Sequence, residues 1–141
     1  MMVALPPYAR AMGMFVVEAH DSAAPASPVV AMDFSECNTG RPGFLHGGAI
    51  GGLLEMAGFA TLHAHLEREG IDAQVRLKPV NISIEYLRSG LPERIFACGE
   101  VVRAGRRVAN VRVEAWQADR SKSVASCWMN FLIAPKKVAA E

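Results

Sequence analysis

Residues 47–69 form the longest hydrophobic run of the chain, and apolar and polar positions do not alternate within it. The run consists mainly of Ala, Ile, Leu, Met, Phe and Gly, and Gly70 follows it as a suitable C-cap. This length and composition predict one long helix. Because it is apolar on almost every side, we expect the helix to lie inside the protein. Glu55, the only carboxylate of the run before Glu67, is then placed where charge is costly, so it is either paired or functional.

Alternating apolar and polar positions predict strands on both sides of this helix. In the segment 80–86, apolar residues at the even positions alternate with Asn81, Ser83 and Glu85 at the odd positions. The predicted strands are 15–20, 29–34, 80–88, 95–103, 107–117 and 124–133, and a tight turn at 104–106 joins two of them. The order β-β-α-β-β-β-β indicates an α+β domain, in which an antiparallel sheet wraps around one long central helix.

The N-terminal segment predicts a short helix at residues 5–14, because Pro6 and Pro7 suit a first helical turn. Segments rich in turn-forming residues predict loops at 21–28 and 36–45. The 141 residues are 51% hydrophobic and 21% charged, a composition that supports a core and argues against disorder. We expect one domain over 1–141, with residues 1–13 as an N-terminal extension.

The charge balance and the cysteines exclude several functional classes. A formal net charge of +1 gives no general electrostatic reason to expect nucleic acid or membrane binding. No run reaches the roughly 18 apolar residues of a spanning helix, and residues 1–10 do not resemble a leader, so a cytoplasmic location is expected. Cys37, Cys98 and Cys127 are odd in number and widely spaced, which predicts reduced thiols and no metal site.

His46-Gly47-Gly48, at the entrance to the predicted helix, is the second chemical feature. A glycine pair leaves bare N–H groups at a helix N-terminus, and such groups bind anions or stabilise a developing oxyanion. Together with the carboxylate of Glu55, they suggest acyl-transfer or hydrolytic chemistry. Simpler interpretations stay open: Glu55 as a structural carboxylate, His46 as a helix cap, and glycines that only allow close packing.

Helix geometry sets a condition on these groups, because nine residues separate His46 from Glu55. At roughly 100° and 1.5 Å per residue, their side chains point to opposite sides of the helix, about 13 Å apart along its axis. Glu55 therefore cannot act on an oxyanion held by Gly47 of its own chain. If both groups serve one site, a second copy supplies one of them. We infer a homodimer with two active sites across its interface.

The His-Gly-Gly entrance, with an acid at the ninth position beyond the histidine, resembles the hotdog-fold acyl-CoA thioesterases. The most similar type is the one named for phenylacetate degradation, to which the hydroxybenzoyl-CoA thioesterases are related. The segment 80–88, ending in Tyr86-Leu87-Arg88, resembles the strand that follows the family's helix, and 103–107 resembles its next hairpin. The resemblance runs from about residue 37 to 133 and implies the hotdog fold. It also implies dimers that often pair into tetramers.

The resemblance implies roles for single residues. Glu55 matches the family's nucleophile or general base, Gly47 the residue whose N–H polarises the thioester carbonyl, and His46 the histidine that orients this region. Asn38 is the candidate for an asparagine that holds the attacking water or the thioester, although it stands further before the histidine than is usual. A family serine or threonine falls on Pro79, which has no hydroxyl.

Several further residues are candidates for binding coenzyme A. Guanidinium groups suit phosphate well, although charged hairpin tips are just as often simply solvated. The candidate substrate-binding residues are Gly48, Arg88, Arg103, Gly105, Arg106 and Arg107.

The expected function is hydrolysis of an acyl-CoA thioester to a free acid and coenzyme A. No cofactor is expected, since coenzyme A is part of the substrate. A thioester needs only an oxyanion donor and a carboxylate that attacks or activates water. One alternative is a non-catalytic protein of the same fold that binds acyl-CoA or regulates, and Pro79 favours it. The other is a dehydratase acting on hydroxyacyl thioesters, against which the His-Gly-Gly entrance argues.

Overall fold

One long helix and six strands contain most of the residues that the computed structural model describes, which are 4–17 and 27–136. In chain order the elements are α1 (Pro7–Ala11), β1 (Met14–Val17), β2 (Val29–Met32), α2 (Gly47–Arg68), β3 (Val75–Tyr86), β4 (Ile95–Ala104), β5 (Val108–Trp116) and β6 (Ala125–Pro135). Short 3₁₀ turns lie on either side of α2, at Glu36–Asn38 and Asp72–Gln74. The predicted α+β class and order of elements are confirmed.

The strands form one antiparallel sheet in the order β1-β2-β4-β5-β6-β3. After α2 the chain crosses to the far edge of the sheet, where β3 pairs with β6. The other side of β3 meets no strand among the described residues, so its backbone groups there are free to pair. Inward-facing residues such as Ala97, Val113 and Met129 are fully buried beneath the helix.

The helix α2 lies across the inner face of the sheet, mainly against β4 and β5. Leu53, Leu54 and Ala57 are fully buried there. The expectation that the helix lies inside the protein holds for the side that faces the sheet, because one sheet covers only that side in the single chain. A stripe with the three- and four-residue spacing of a helix face stays partly or fully exposed, and it comprises Gly48, Gly52, Glu55, Phe59 and His63.

The predicted bounds of β3 and α1 differ from the observed ones. The strand predicted to begin at residue 80 begins at Val75, because an edge strand tolerates Pro79, and a register shift follows that proline. The helix α1 ends at Ala11, where Gly13, with a φ of 73°, turns the chain into β1. Parts of two predictions, the strand residues 18–20 and the loop residues 21–26, lie outside the described residues.

No helix within 4–17 or 27–136 is long and apolar enough to cross a membrane.

We expect Gly99→Ala to lower the free energy of unfolding by about 1–3 kcal/mol, because a larger residue would overpack the contact between β4 and α2. A Cβ at Gly99 would lie 2.6 Å from Oγ1 of the buried Thr61 and 3.3 Å from the carbonyl oxygen of Arg112. Urea denaturation measures the change. The control is Gly105→Ala, whose Cβ would meet nothing closer than 3.5 Å. Equal effects of the two substitutions would contradict the close approach.

We expect one of the three thiols to react rapidly with Ellman's reagent in the native protein at pH 8, and all three in denaturant. Cys37 is exposed, whereas Cys98 and Cys127 are buried in strands. Burial raises the pKa of both buried thiols, that of Cys127 to about 12, where the nearby charge of Glu55 adds to the effect. The thiolate is the reactive form, so both stay inert. Cys37→Ser should abolish the rapid reaction, and a second rapid thiol would refute this assignment.

Candidate active site

The loop 36–45, predicted as irregular, contains a 3₁₀ turn and positions the start of α2. Asn38 is buried, and its Nδ2 donates to the carbonyl oxygen of Asp33 at 2.8 Å while its Oδ1 accepts from the N–H of Ser35 at 2.9 Å. The carbonyl oxygen of Asn38 accepts from the N–H of His46 at 2.8 Å. Asn38 therefore holds the loop and the helix entrance in place, and its predicted contact with water or thioester stays a prediction.

His46 is the N-cap of α2, and its Nδ1 accepts from the N–H of Gly48 at 2.9 Å. The interpretation of His46 as a helix cap is thereby confirmed. Because Gly48 uses its N–H in the cap, the N–H of Gly47 is the remaining amide of the glycine pair. No acceptor for it is found within 4–17 and 27–136. This amide lies at the positive end of a 22-residue helix, where an anion is stabilised.

Tyr86, at the end of β3, covers the helix entrance from the side of the sheet. Its hydroxyl donates to the carbonyl oxygen of Gly47 at 2.8 Å. A Cβ at Gly47 would lie 3.6 Å from the ring, and one at Gly51 would lie 3.5 Å from the hydroxyl oxygen. Sequence reasoning did not select Tyr86 as a site residue. The available signal was its position on the same strand face as Ile84, which predicts that its ring points toward the helix.

Glu55 lies in an open groove of about 320 Å³ that is bounded by α2, β3 and α1. The side chains of Ile82 and Ile84 and the rings of Tyr8 and Tyr86 form the walls. Glu55 is half-buried, and within the described part of the chain it forms no salt bridge or hydrogen bond. The expectation of an enclosed carboxylate is corrected accordingly: Glu55 is open to the outside on the uncovered stripe of α2, with apolar walls beside it.

His46 and Gly47 line a different depression, of about 280 Å³, together with Phe44 and Gly90. The two depressions share no lining residue. The single chain thus keeps the Glu55 carboxylate apart from the free amide of Gly47. This separation agrees with the helix geometry of the sequence, in which the side chains of His46 and Glu55 point to opposite sides of the helix.

The candidate coenzyme A-binding residues lie at opposite ends of the sheet and in the Glu55 groove. Arg103 lies near the exposed end of β4, and Gly105, Arg106 and Arg107 form the exposed turn between β4 and β5. Arg88 lies beyond the end of β3, where its guanidinium donates to the carbonyl oxygen of Ser123 at 2.7 Å. Most of the length of β4, roughly 25 Å at 3.3 Å per residue, separates this position from the turn. Gly48 lines the Glu55 groove. One chain therefore does not bring these residues together.

Several solved structures have the same fold as this chain. A protein of Chromobacterium violaceum is 37% identical, with 91% of this chain and 83% of that chain covered and a TM-score of 0.68. A mutant of the phenylacetic acid degradation protein PaaI of Thermus thermophilus is 23% identical, with 90% and 98% covered and a TM-score of 0.71. PaaI of Escherichia coli is 18% identical, with 91% and 84% covered and a TM-score of 0.73. The predicted hotdog fold is confirmed.

The sequence comparison gives the family. Residues 42–124, which include the helix entrance, Glu55 and strands β3 to β5, match the thioesterase superfamily, and the chain belongs to that superfamily. It is also similar to the medium/long-chain acyl-CoA thioesterase YigI of Escherichia coli, with 32% identity over 78 residues. That alignment covers 50% of this chain and 50% of YigI, so the chain spans about half the length of the curated relatives that it matches.

Proposed function

We propose that this protein hydrolyses acyl-CoA thioesters to a free carboxylic acid and coenzyme A. The observation that carries the proposal is Glu55, a carboxylate without a described partner in a groove whose other walls are mainly apolar. The uncapped N–H of Gly47, at the N-terminus of the same helix, supplies the second chemical group that the reaction needs. Membership of the thioesterase superfamily and the similarity to an acyl-CoA thioesterase support the substrate class.

The chemistry divides between these two groups. Glu55 removes a proton from a water that attacks the thioester carbonyl carbon, or its carboxylate attacks that carbon directly and water later hydrolyses the resulting anhydride. In both routes the electron pair of the C=O bond moves to oxygen, and the N–H of Gly47 stabilises the oxyanion. The oxyanion then collapses, the C–S bond breaks, and the thiolate of coenzyme A leaves and takes up a proton.

The proposal includes a homodimer, since the two groups line separate depressions in one chain. The strand β3 has an edge that pairs with no other described strand, and it exposes two large apolar side chains, Val80 at 58% and Tyr86 at 54%. Antiparallel pairing of two such edges about a two-fold axis would set the groove beside β3 against the partner copy. Glu55 of one protomer would then act with Gly47 of its partner. A further pairing of dimers into a tetramer extends the same proposal.

A thiol-release assay across acyl-CoA substrates tests the activity. Free coenzyme A is measured with a thiol reagent while short, long and aromatic acyl-CoAs are offered at equal concentration. Release that is proportional to enzyme and saturable in substrate is the expected result. Absence of release from every substrate would refute the proposed hydrolysis.

The same assay distinguishes the proposed hydrolase from the second candidate function, which is a protein that binds acyl-CoA without cleaving it. Pro79, which suggested that alternative, is exposed on β3 and does not line the Glu55 groove of its own chain. Tight binding without thiol release would favour this candidate. Loss of water from a hydroxyacyl-CoA, without thiol release, would instead favour a dehydratase.

A further inference from the structure

The short helix α1 brings Tyr8 onto the face of α2 that also carries Glu55. Two neighbouring residues fix α1 to the body of the protein, since Leu5 and Ala9 are buried in the core. Tyr8 lies between them and is 44% exposed, so its ring belongs to the surface of the groove and not to the core. The sequence pattern around the helix entrance does not predict this contact, because the contact depends on where α1 docks.

The contact between Tyr8 and α2 depends on the absence of a side chain at Gly52. A Cβ at that position would overlap the hydroxyl oxygen of Tyr8 and would lie 3.0 Å from Cζ and 3.1 Å from Cε1 of its ring. Gly52 precedes Glu55 by three residues, so the two lie on the same face of the helix, one turn apart. The phenol therefore lies within one helical turn of the carboxylate, across the floor of the groove.

The composition of the groove indicates which part of a substrate it receives. Apart from the Glu55 carboxylate and two phenol hydroxyls, its walls are the side chains of Ile82 and Ile84 and the rings of Tyr8 and Tyr86. The acyl group is the apolar part of an acyl-CoA, whereas the pantetheine arm carries amides that need hydrogen-bond partners. With the thioester carbon at Glu55, the acyl group is the part that fits between these walls.

We propose that Tyr8 is the end wall of the acyl pocket and restricts the substrate to acyl groups that are short chains or single rings. This inference rests on the proposed thioesterase function, because it assigns the groove beside Glu55 to the acyl group. Tyr8 determines specificity through its bulk, and it takes no part in proton transfer or in stabilising the oxyanion. Gly52 is the residue that lets the phenol lie against α2 at the edge of the groove.

The test compares kcat/KM for butanoyl-CoA and dodecanoyl-CoA in the wild type, Tyr8→Ala and Tyr8→Phe. We expect the dodecanoyl-to-butanoyl ratio to rise at least about tenfold in Tyr8→Ala, since a few methylene groups gain room. Tyr8→Phe keeps the ring and should keep the wild-type ratio. Trp128→Ala is the matched control, because Trp128 is a comparably exposed aromatic residue, at 46%, and does not line the groove.

A second pair of variants tests the contact itself. Gly52→Ala should lower the melting temperature and the activity in the wild-type background, because its Cβ meets the Tyr8 phenol. Both losses should be smaller when Gly52→Ala is combined with Tyr8→Ala. An unchanged chain-length ratio in folded Tyr8→Ala would overturn the role of Tyr8 while leaving the hydrolase proposal intact. A wild type that cleaves neither substrate nor any other acyl-CoA would overturn both.

Discussion

Glu55→Gln is expected to lower kcat/KM for acyl-CoA hydrolysis by about 10²- to 10⁴-fold, the range typical for loss of a general base. The amide of glutamine has the size of the carboxylate but can neither take the proton of water nor attack a carbonyl carbon. Stability should change little, because within 4–17 and 27–136 no hydrogen bond or salt bridge involves the carboxylate. Thiol release and urea denaturation, measured on the same preparation, check the two halves of this expectation.

Two control variants show whether the loss of activity is specific to the Glu55 carboxylate. Glu55→Asp keeps the carboxylate and shortens its reach by one methylene, so it should retain more activity than Glu55→Gln. Glu100→Gln removes a charge from an exposed position of β4, outside the Glu55 groove, and should leave hydrolysis unchanged. Hydrolysis at the wild-type rate by Glu55→Gln would end the assignment of Glu55 as the catalytic carboxylate.

Local patterns predict the elements of this fold because those patterns act over a few residues. The apolar run that begins at Gly47 and the alternation along β5 each identify an element from its own sequence. The start of β3 is not predictable in this way. Pro79 breaks the pattern, and only its place at the edge of the sheet makes the proline compatible with a strand.

The candidate site, like the fold, is only partly predictable from local sequence patterns. The capping role of His46 and the opposite facing of His46 and Glu55 follow from helix geometry, which the sequence contains. The exposure of Glu55 does not follow, since it depends on how far the sheet reaches around the helix. The use of the Asn38 side chain within its own loop and the approach of Tyr8 to α2 are likewise tertiary contacts. Periodicity contains no information about either of them.

Gly47→Pro is expected to lower kcat by about 10²- to 10³-fold, the usual cost of losing one oxyanion donor. Proline removes the N–H and suits the first position of a helix, where that N–H has no intrahelical acceptor. His46 already has φ −69° and ψ 134°, a conformation that the residue before a proline prefers. Gly47→Ala is the matched control, because it keeps the N–H and its Cβ would lie 3.6 Å from the Tyr86 ring. Comparable losses in both variants would show that bulk, and not the amide, matters.

Mixing the purified Gly47→Pro protein with the purified Glu55→Gln protein tests whether the Gly47 amide and the Glu55 carboxylate of one site come from different protomers. Each parent homodimer is expected to be nearly inactive, since both of its sites lack one group. If Glu55 of one copy acts with Gly47 of the other, a mixed dimer combines both defects in one site and leaves the other site intact. Random exchange of subunits makes half of the dimers mixed, so about a quarter of the wild-type activity should return. If both groups acted within one chain, every site would keep one defect and no activity would return.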